Sequence, residues 1–440
     1  MTYGNETKSI VKFAIPLALG NVFQQVYNLC DTLIVGRFVG KNALAAVGST
    51  YTLMIFITSI IIGLCIGSSV VFSRFYGAKD YNNLQRSFFI SFIIIAILSI
   101  ILNSISLIFV EPILRLIQIP NEIMNLSLSY TFTVFFGIFF IFLYNYYSAV
   151  FRSMGNSTTP LIFLAISTII NIILDLVFII NFKMGVFGAA LATVIAQVFS
   201  GVGLAISCHK SLKETKIKKE NMVFDRKIRK LILNFSLLSS IQQSVMNLGI
   251  LMIQGLVNSF GVTIMAGFAC AVKIDTIAYV PVQDFGNAFS TFIAQNLGAR
   301  KFDRISKGSK SSFKIVSLVC IPISILVYIF APELMQLFLS ENSREVINVG
   351  VQYLRIEGTF YVLIGYLFLF YGMFRGWGKP FMSIVLTIAS LGTRVALSYI
   401  LAPNPSFGVV AIWWSIPIGW LLADIIGFIK MKKEKIILEL

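Results

Sequence analysis

Long apolar runs separated by short polar stretches set the pattern of this chain. Ser87–Val110 is a typical run, apolar at nearly every position with no alternation. A helix crossing a bilayer needs about 20 such residues, whereas a barrel strand alternates over about 10. The run lengths predict twelve helices, at 10–36, 44–73, 87–110, 125–150, 160–181, 186–208, 231–258, 263–297, 315–331, 350–373, 380–402 and 408–429. The expected fold class is therefore an all-α membrane protein.

The polar punctuation repeats. Tyr76-Gly77-Ala78-Lys79 follows the second run, and Leu297-Gly298-Ala299-Arg300 follows the eighth. Phe151-Arg152-Ser153-Met154-Gly155 is echoed by Phe374-Arg375-Gly376-Trp377-Gly378, and Phe187-Gly188 by Phe407-Gly408. The three offsets are 221, 223 and 220. Six spans is an even number, so both halves share one orientation. A parallel repeat of this kind, with its route between the halves, is a transporter architecture. The expected domains are an N lobe (1–208), a linker (209–230) and a C lobe (231–440).

Composition agrees. Hydrophobic residues make up 57% and charged ones 12%, about half the roughly 25% of a soluble domain, which excludes a soluble globule and disorder alike. The net charge of +16 would suit nucleic acid or a membrane surface, and placement decides. With both ends assigned to the cytoplasm and Lys12 counted with the N-terminal end, 27 of the 35 Lys and Arg fall on that side and 5 on the other. That is the positive-inside distribution of a plasma-membrane protein with both termini cytoplasmic. No nucleic-acid module accompanies the charge, so no nucleic-acid partner is expected. The longest basic stretch, His209–Lys230, reads as a solvated loop, with contact to anionic lipid as the alternative.

Catalytic chemistry finds no footing. Cys30, Cys65, Cys208, Cys270 and Cys320 lie in or beside apolar runs without CxxC spacing and read as core residues. His209 is the only histidine, which removes His-based metal or triad chemistry. No nucleophile–base pair or phosphate loop is present, so neither an enzyme nor a bound cofactor is expected. The first run, preceded by lysines and lacking a small-residue cleavage site, reads as a retained helix.

Charge inside a span is costly and needs a reason. The in-span acids are Asp31, Asp175, Asp275, Asp284, Glu357 and Asp424, against Lys273, Arg355 and Arg394. That negative balance favours cationic cargo. Gln24, Asn28 and Asp31 are spaced i, i+4, i+7 on one helical face, and Asn171 and Asp175 are spaced i, i+4. Such stripes must face protein or water. A carboxylate with amide and hydroxyl oxygens can coordinate Na⁺, and one in an apolar site can carry H⁺; an interhelical hydrogen bond is the plainer reading. The repeat places Ile253 and Val395 opposite Asp31 and Asp175. Structural glue should recur in both halves, whereas a coupling site need not. Pro16 and Pro281 interrupt the first and eighth spans, as static kinks or as hinges.

These residues resemble those of the multidrug and toxic compound extrusion (MATE) transporters over nearly the whole length. The carriers are Pro16, Gln24, Cys30-Asp31-Thr32-Leu33-Ile34-Val35-Gly36, Gly77-Ala78-Lys79-Asp80, Ile170-Asn171-Ile172-Ile173-Leu174-Asp175 and Ala294-Gln295-Asn296-Leu297-Gly298-Ala299. The resemblance implies a V-shaped pair of pseudo-symmetric six-helix lobes that exports amphipathic organic cations in exchange for H⁺ or Na⁺. It implies a coupling-ion site at Asp31, Asn171, Asp175 and Thr193, with Na⁺ as one occupant, and polar lining at Gln24 and Tyr130. Asn28, Asp284 and Glu357 complete the expected cavity lining. Span 7 has no acid and Glu357 matches the C-lobe pattern only loosely, with pairing to Arg355 or Arg394 as its plainer reading. These departures favour the branch with an N-lobe ion site (DinF-like). A monomer in the lipid bilayer is expected. The competing class is a flippase for lipid-linked oligosaccharide or an exporter of anionic cargo, for which Lys273, Arg355 and Arg394 would serve; a non-transporting receptor would not need buried carboxylates.

Overall fold

A computed structural model describes residues 1–116, 119–212, 215–337 and 344–439. Lys213 and Glu214 of the expected linker, and 338–343 and 440 of the expected C lobe, lie outside the described residues. Every regular element among the described residues is helical: α1 (Glu6–Phe38), α2 (Lys41–Gly77), α3 (Tyr81–Ile108), α4 (Val110–Leu116), α5 (Asn121–Phe135), α6 (Ile138–Ser153), α7 (Thr158–Leu176), α8 (Gly185–Ser211), α9 (Arg226–Asn258), α10 (Val262–Gly298), α11 (Phe302–Ile329), α12 (Ala331–Gln336), α13 (Arg344–Gly358), α14 (Tyr361–Gly376), α15 (Pro380–Thr387), α16 (Thr393–Leu401) and α17 (Gly408–Glu439).

Nine helices among the described residues are long and apolar enough to cross a membrane, or eleven spans when two bent pairs count once each. The bent pairs are α5 with α6 (42°) and α13 with α14 (54°), where continuous helices were expected at 125–150 and 350–373. Neither break contains proline: Phe136-Gly137 and Thr359-Phe360 interrupt them. α1 has 33 residues, roughly 50 Å at 1.5 Å per residue. Its amide-rich face, with Asn21, Gln24, Gln25 and Asn28, keeps it out of the apolar set, and with it the spans number twelve. π-helical turns at Val177–Asn181 and Ile388–Gly392 interrupt the fifth and eleventh. α11 starts at Phe302, ahead of the expected 315, because its charged first turns stay helical outside the apolar stretch.

The repeat is written in the backbone. Positive φ recurs at Gly40 and Gly261, at Lys79 and Arg300, at Gly155 and Gly378, and at Gly185 and Gly408, with offsets of 221, 221, 223 and 223. This corrects the third expected match: Gly408 pairs with Gly185, not Gly188, since both open the last helix of their half in left-handed conformation. Lys79 and Arg300 have φ of 57° and 55° where glycine is favoured. Each closes a helix by a bond spanning five residues, Asp80 N to Phe75 O (3.0 Å) and Lys301 N to Asn296 O (2.8 Å).

The chain forms two compact units. One comprises Ile15–Ser240; the other joins Met1–Ala14 to Ile241–Leu440. Both boundaries fall inside helices, in α1 one residue before Pro16 and near the middle of α9. In the first unit, α2 meets the start of α9 through Gly63 and Gly67. A Cβ on Gly67 would lie 2.5 Å from Ser236 Cα, so only glycine permits this approach, as in small-residue helix crossings generally. The Ser68 and Ser236 hydroxyls bond at 2.8 Å, and the Ser240 hydroxyl donates to Ile60 O at 3.1 Å. In the second unit, α10 and α14 cross at Gly286 and Gly372; a Cβ on Gly286 would lie 2.6 Å from Phe368 O. The N-terminal strap is tied down there. Lys301 Nζ donates to Thr2 O (2.9 Å) and lies 3.8 Å from the centre of the Tyr3 ring. Arg304 donates to Gly4 O (2.7 Å) and pairs with Glu6 (3.2 Å).

Candidate functional site

In the Ile15–Ser240 unit, α1, α5, α7 and α8 bring together the residues singled out in the sequence. Asp31 is 6% exposed, Asn171 and Asp175 are fully buried and Thr193 is 4% exposed. The polar stripe of α1 is buried at Asp31, and Asn171 and Asp175 lie one turn apart on α7, both buried. Asp31 and Asp175 lie within electrostatic reach of each other and of Tyr27 and Tyr130. The Tyr27 hydroxyl donates to Thr193 Oγ1 at 3.1 Å, tying α1 to α8. Asn28 Nδ2 donates to the Tyr51 hydroxyl at 3.3 Å. Tyr130 joins an apolar cluster with Ile34, Val35, Val47, Val134 and Ile179, which walls the acids on one side. Gln24 is half-buried on α1.

The group is under-satisfied. Asp31 Oδ1, both Asp175 oxygens and both polar atoms of Asn171 are buried without a hydrogen-bond partner. Buried polar groups are normally paired, because leaving one unpaired costs about 1–3 kcal/mol or more for charge. Carboxylate and amide oxygens gathered this way are the donor set a proton or a small hard cation would satisfy. Tyr27 and Tyr51 belong to the group but carried no signal in the sequence beyond lying on the first two spans.

A second polar cluster lies in the other unit, where the sequence offered only scattered charges. Asp275 on α10 and Glu357 on α13 are 2% and 3% exposed and lie within electrostatic reach of each other, and Glu357 Oε2 is buried without a hydrogen-bond partner. The Tyr353 hydroxyl donates to Asp275 Oδ2 at 3.0 Å, and the Tyr361 hydroxyl donates to Asp275 Oδ1. Glu357 thus lies near Asp275 and Tyr353, with Arg394 within electrostatic reach. Arg355 points elsewhere, exposed and 5.5 Å from the centre of the Tyr328 ring. Tyr353, Glu357 and Tyr361 recur every four residues, a one-face spacing visible in the sequence.

The remaining in-span charges are dispersed. Asp284 is buried on α10 and Lys273 on the same helix is exposed. Both carboxylate oxygens of Asp424 on α17 are buried without partners, and Arg375 donates to Asn287 Oδ1 at 2.9 Å. All six in-span acids are buried, while Lys273 and Arg355 are exposed. Pro16 and Pro281 sit within unbroken α1 and α10. Among the described residues no three His, Cys, Asp or Glu side chains gather as a metal site.

Residues 16–177 and 236–400 match the MatE family model. YoeA of Bacillus subtilis, a probable multidrug resistance protein, is 28% identical over 424 residues, covering 94% of this chain and 91% of its own. YpnP of the same organism, also a probable multidrug resistance protein, is 29% identical over 390 residues, covering 88% and 86%. A solved MOP superfamily transporter from Pyrococcus furiosus, described as having a binding pocket of reverse polarity that suggests a different function, superposes with a TM-score of 0.93. It is 26% identical, covering 99% of this chain and 97% of that one.

Proposed function

The chain belongs to the MATE family of multidrug efflux transporters, and from that premise we propose that it is a secondary antiporter expelling amphipathic organic cations in exchange for H⁺ or Na⁺. The observation that carries this reading is the under-satisfied acid group at Asp31, Asn171 and Asp175. An ion entering there supplies the missing partners. It therefore favours whichever packing of α1, α7 and α8 closes the donor set around it, and its departure favours the other. Coupling through this unit is the property expected of the branch with an N-lobe ion site, the DinF-like one, and the buried acids of α1 and α7 support that reading. It works in the plasma membrane, with both termini in the cytoplasm, as a monomer. Thr193, held by Tyr27, orients the α8 side of the site. Pro16 allows α1 to bend below Asp31, because proline removes one backbone hydrogen bond.

The test is efflux of a fluorescent lipophilic cation from proteoliposomes, driven separately by a pH gradient and a Na⁺ gradient. Asp31→Asn is expected to abolish gradient-driven efflux while elution and helicity stay unchanged. Undiminished coupling in that variant would refute the reading. Asp275→Asn separates the two clusters: coupling retained there and lost at Asp31 assigns the work to the first unit. One observation favours a second reading, export of anionic cargo. The in-span acids are all buried, whereas Lys273 and Arg355 are exposed, so accessible in-span charge is basic. Efflux of an anionic dye that is lost in Lys273→Gln, with no cation efflux under either gradient, would replace the first reading by this one.

A further inference from the structure

The segment between α8 and α9 carries more than a solvated loop needs. Its described bases, Lys210, Lys216, Lys218, Lys219, Arg226, Lys227, Arg229 and Lys230, are all exposed. Its acids are engaged locally: Glu220 pairs with Lys218 at 3.5 Å, and Asp225 accepts from the Lys227 and Ile228 amides. Between the two runs of bases stand Met222, Val223 and Phe224, exposed by 48%, 52% and 48%. Packing within the fold does not explain three consecutive apolar side chains left about half exposed in a highly charged loop.

Their level along the spans does. The Lys218 amide and Asn221 Nδ2 both donate to Gln85 Oε1, at 3.2 and 2.9 Å. The Phe224 ring meets Phe89 edge-on at 5.5 Å between centroids. Phe89 is eight residues into α3, which begins at Tyr81, so it lies about 12 Å along that helix. It is also two residues past the start of the apolar run Ser87–Val110. Phe224 is thus held where α3 has already entered its apolar run, and Lys218 before it is held where α3 is still polar.

We propose that this linker is a membrane-interface anchor. Met222, Val223 and Phe224 insert into the leaflet on their side, and Lys218, Lys219, Arg226 and Lys227 gather anionic phospholipid headgroups around them. Apolar side chains flanked by Lys and Arg at the headgroup level are the arrangement that binds an anionic bilayer surface, each base contributing attraction that falls off within a Debye length. The anchor seats Asn221 and Lys218 on Gln85, so lipid charge acts on the segment that leads into α9.

The test uses the full-length protein in nanodiscs with Phe224→Trp. The four native tryptophans, all at Trp377 or beyond, provide the wild-type baseline. Discs contain phosphatidylcholine with one-fifth of the lipid brominated on its acyl chains, carried by either phosphatidylcholine or phosphatidylglycerol. The added fluorescence is expected to be quenched in both, and about two-fold more by the anionic lipid. The variant with Lys218, Lys219, Arg226 and Lys227 all changed to Gln should quench equally with either. Absence of added quenching in both discs would overturn the insertion; equal quenching with the four bases intact would overturn the headgroup selection. Unchanged elution and circular dichroism establish that each variant is folded.

Discussion

Gly67→Ala measures how tightly α2 and α9 are locked together. The new Cβ would lie 2.5 Å from both Ser236 Cα and Phe235 C, against 3.4 Å for an ordinary contact. The obstacles are backbone atoms, with Phe235 O nearer still, so the helices must part by at least about 0.9 Å. That shift carries the Ser68–Ser236 bond from 2.8 Å beyond hydrogen-bonding range. Overpacking costs about 1–3 kcal/mol and the lost bond a further 0.5–1.5, or roughly 2–4 kcal/mol together. At about 2–4 °C per kcal/mol for a unit of this size, the melting temperature should fall on the order of 5–10 °C. Two controls isolate the steric cause. Gly48→Ala lies on the same helix with nothing within 4 Å of its Cβ, so it should be neutral or stabilising by up to about 1 kcal/mol. Ser68→Ala with Ser236→Ala removes both hydroxyls at once and should cost less than about 1 kcal/mol. Thermal unfolding of the purified protein, followed by tryptophan fluorescence and by retention on size exclusion, reads all three. Melting of Gly67→Ala within about 1 °C of wild type would refute the argument, because a shift that small corresponds to less than about 0.5 kcal/mol.

Two other perturbations test separate parts of the structure. Tyr361→Phe removes one of two tyrosine donors to Asp275 and should destabilise by about 1.5–3 kcal/mol, the range for a hydrogen bond to charge; denaturation no easier than wild type would show that Tyr353 alone satisfies the carboxylate. Asp225 is held below the ordinary carboxylate range by the Ile228 amide first and the Lys227 amide second. Its contribution to the start of α9 is therefore present above the unfolded value near 4 and lost as pH falls through the lower folded one. The melting difference between wild type and Asp225→Asn should accordingly shrink from pH 6 toward pH 3, and a difference that grows on acidification would contradict the capping role.

The sequence made the spans legible because hydrocarbon imposes a length and a composition that few other constraints disturb. The α1 stripe was legible for the same reason: Gln24, Asn28 and Asp31 are conspicuous where almost everything else is apolar, and Asp31 lies within electrostatic reach of Asp175. The bends between α5 and α6 and between α13 and α14 were not legible, since neither contains proline and apolar runs continue through both. The contact boundaries in mid-α1 and mid-α9 were equally hidden, because they depend on which neighbour a helix face touches and not on where the chain turns. Asp275 and Glu357 are 82 residues apart and come together only where α10 packs against α13. Their proximity belongs to tertiary geometry, although the spacing of Tyr353, Glu357 and Tyr361 marked the side of the chain on which it arises.

The strap at the N-terminus has a consequence for biosynthesis. Thr2, Gly4 and Glu6 make their bonds with Lys301 and Arg304, nearly 300 residues downstream. At about 5–20 residues per second, the ribosome needs roughly 15–60 s to deliver those partners. Throughout that interval the opening segment has no place to dock, while α2 through α8 are already being inserted. The second unit therefore closes around the oldest part of the chain, and release of the nascent protein with its strap unseated is the point at which quality control would find it vulnerable.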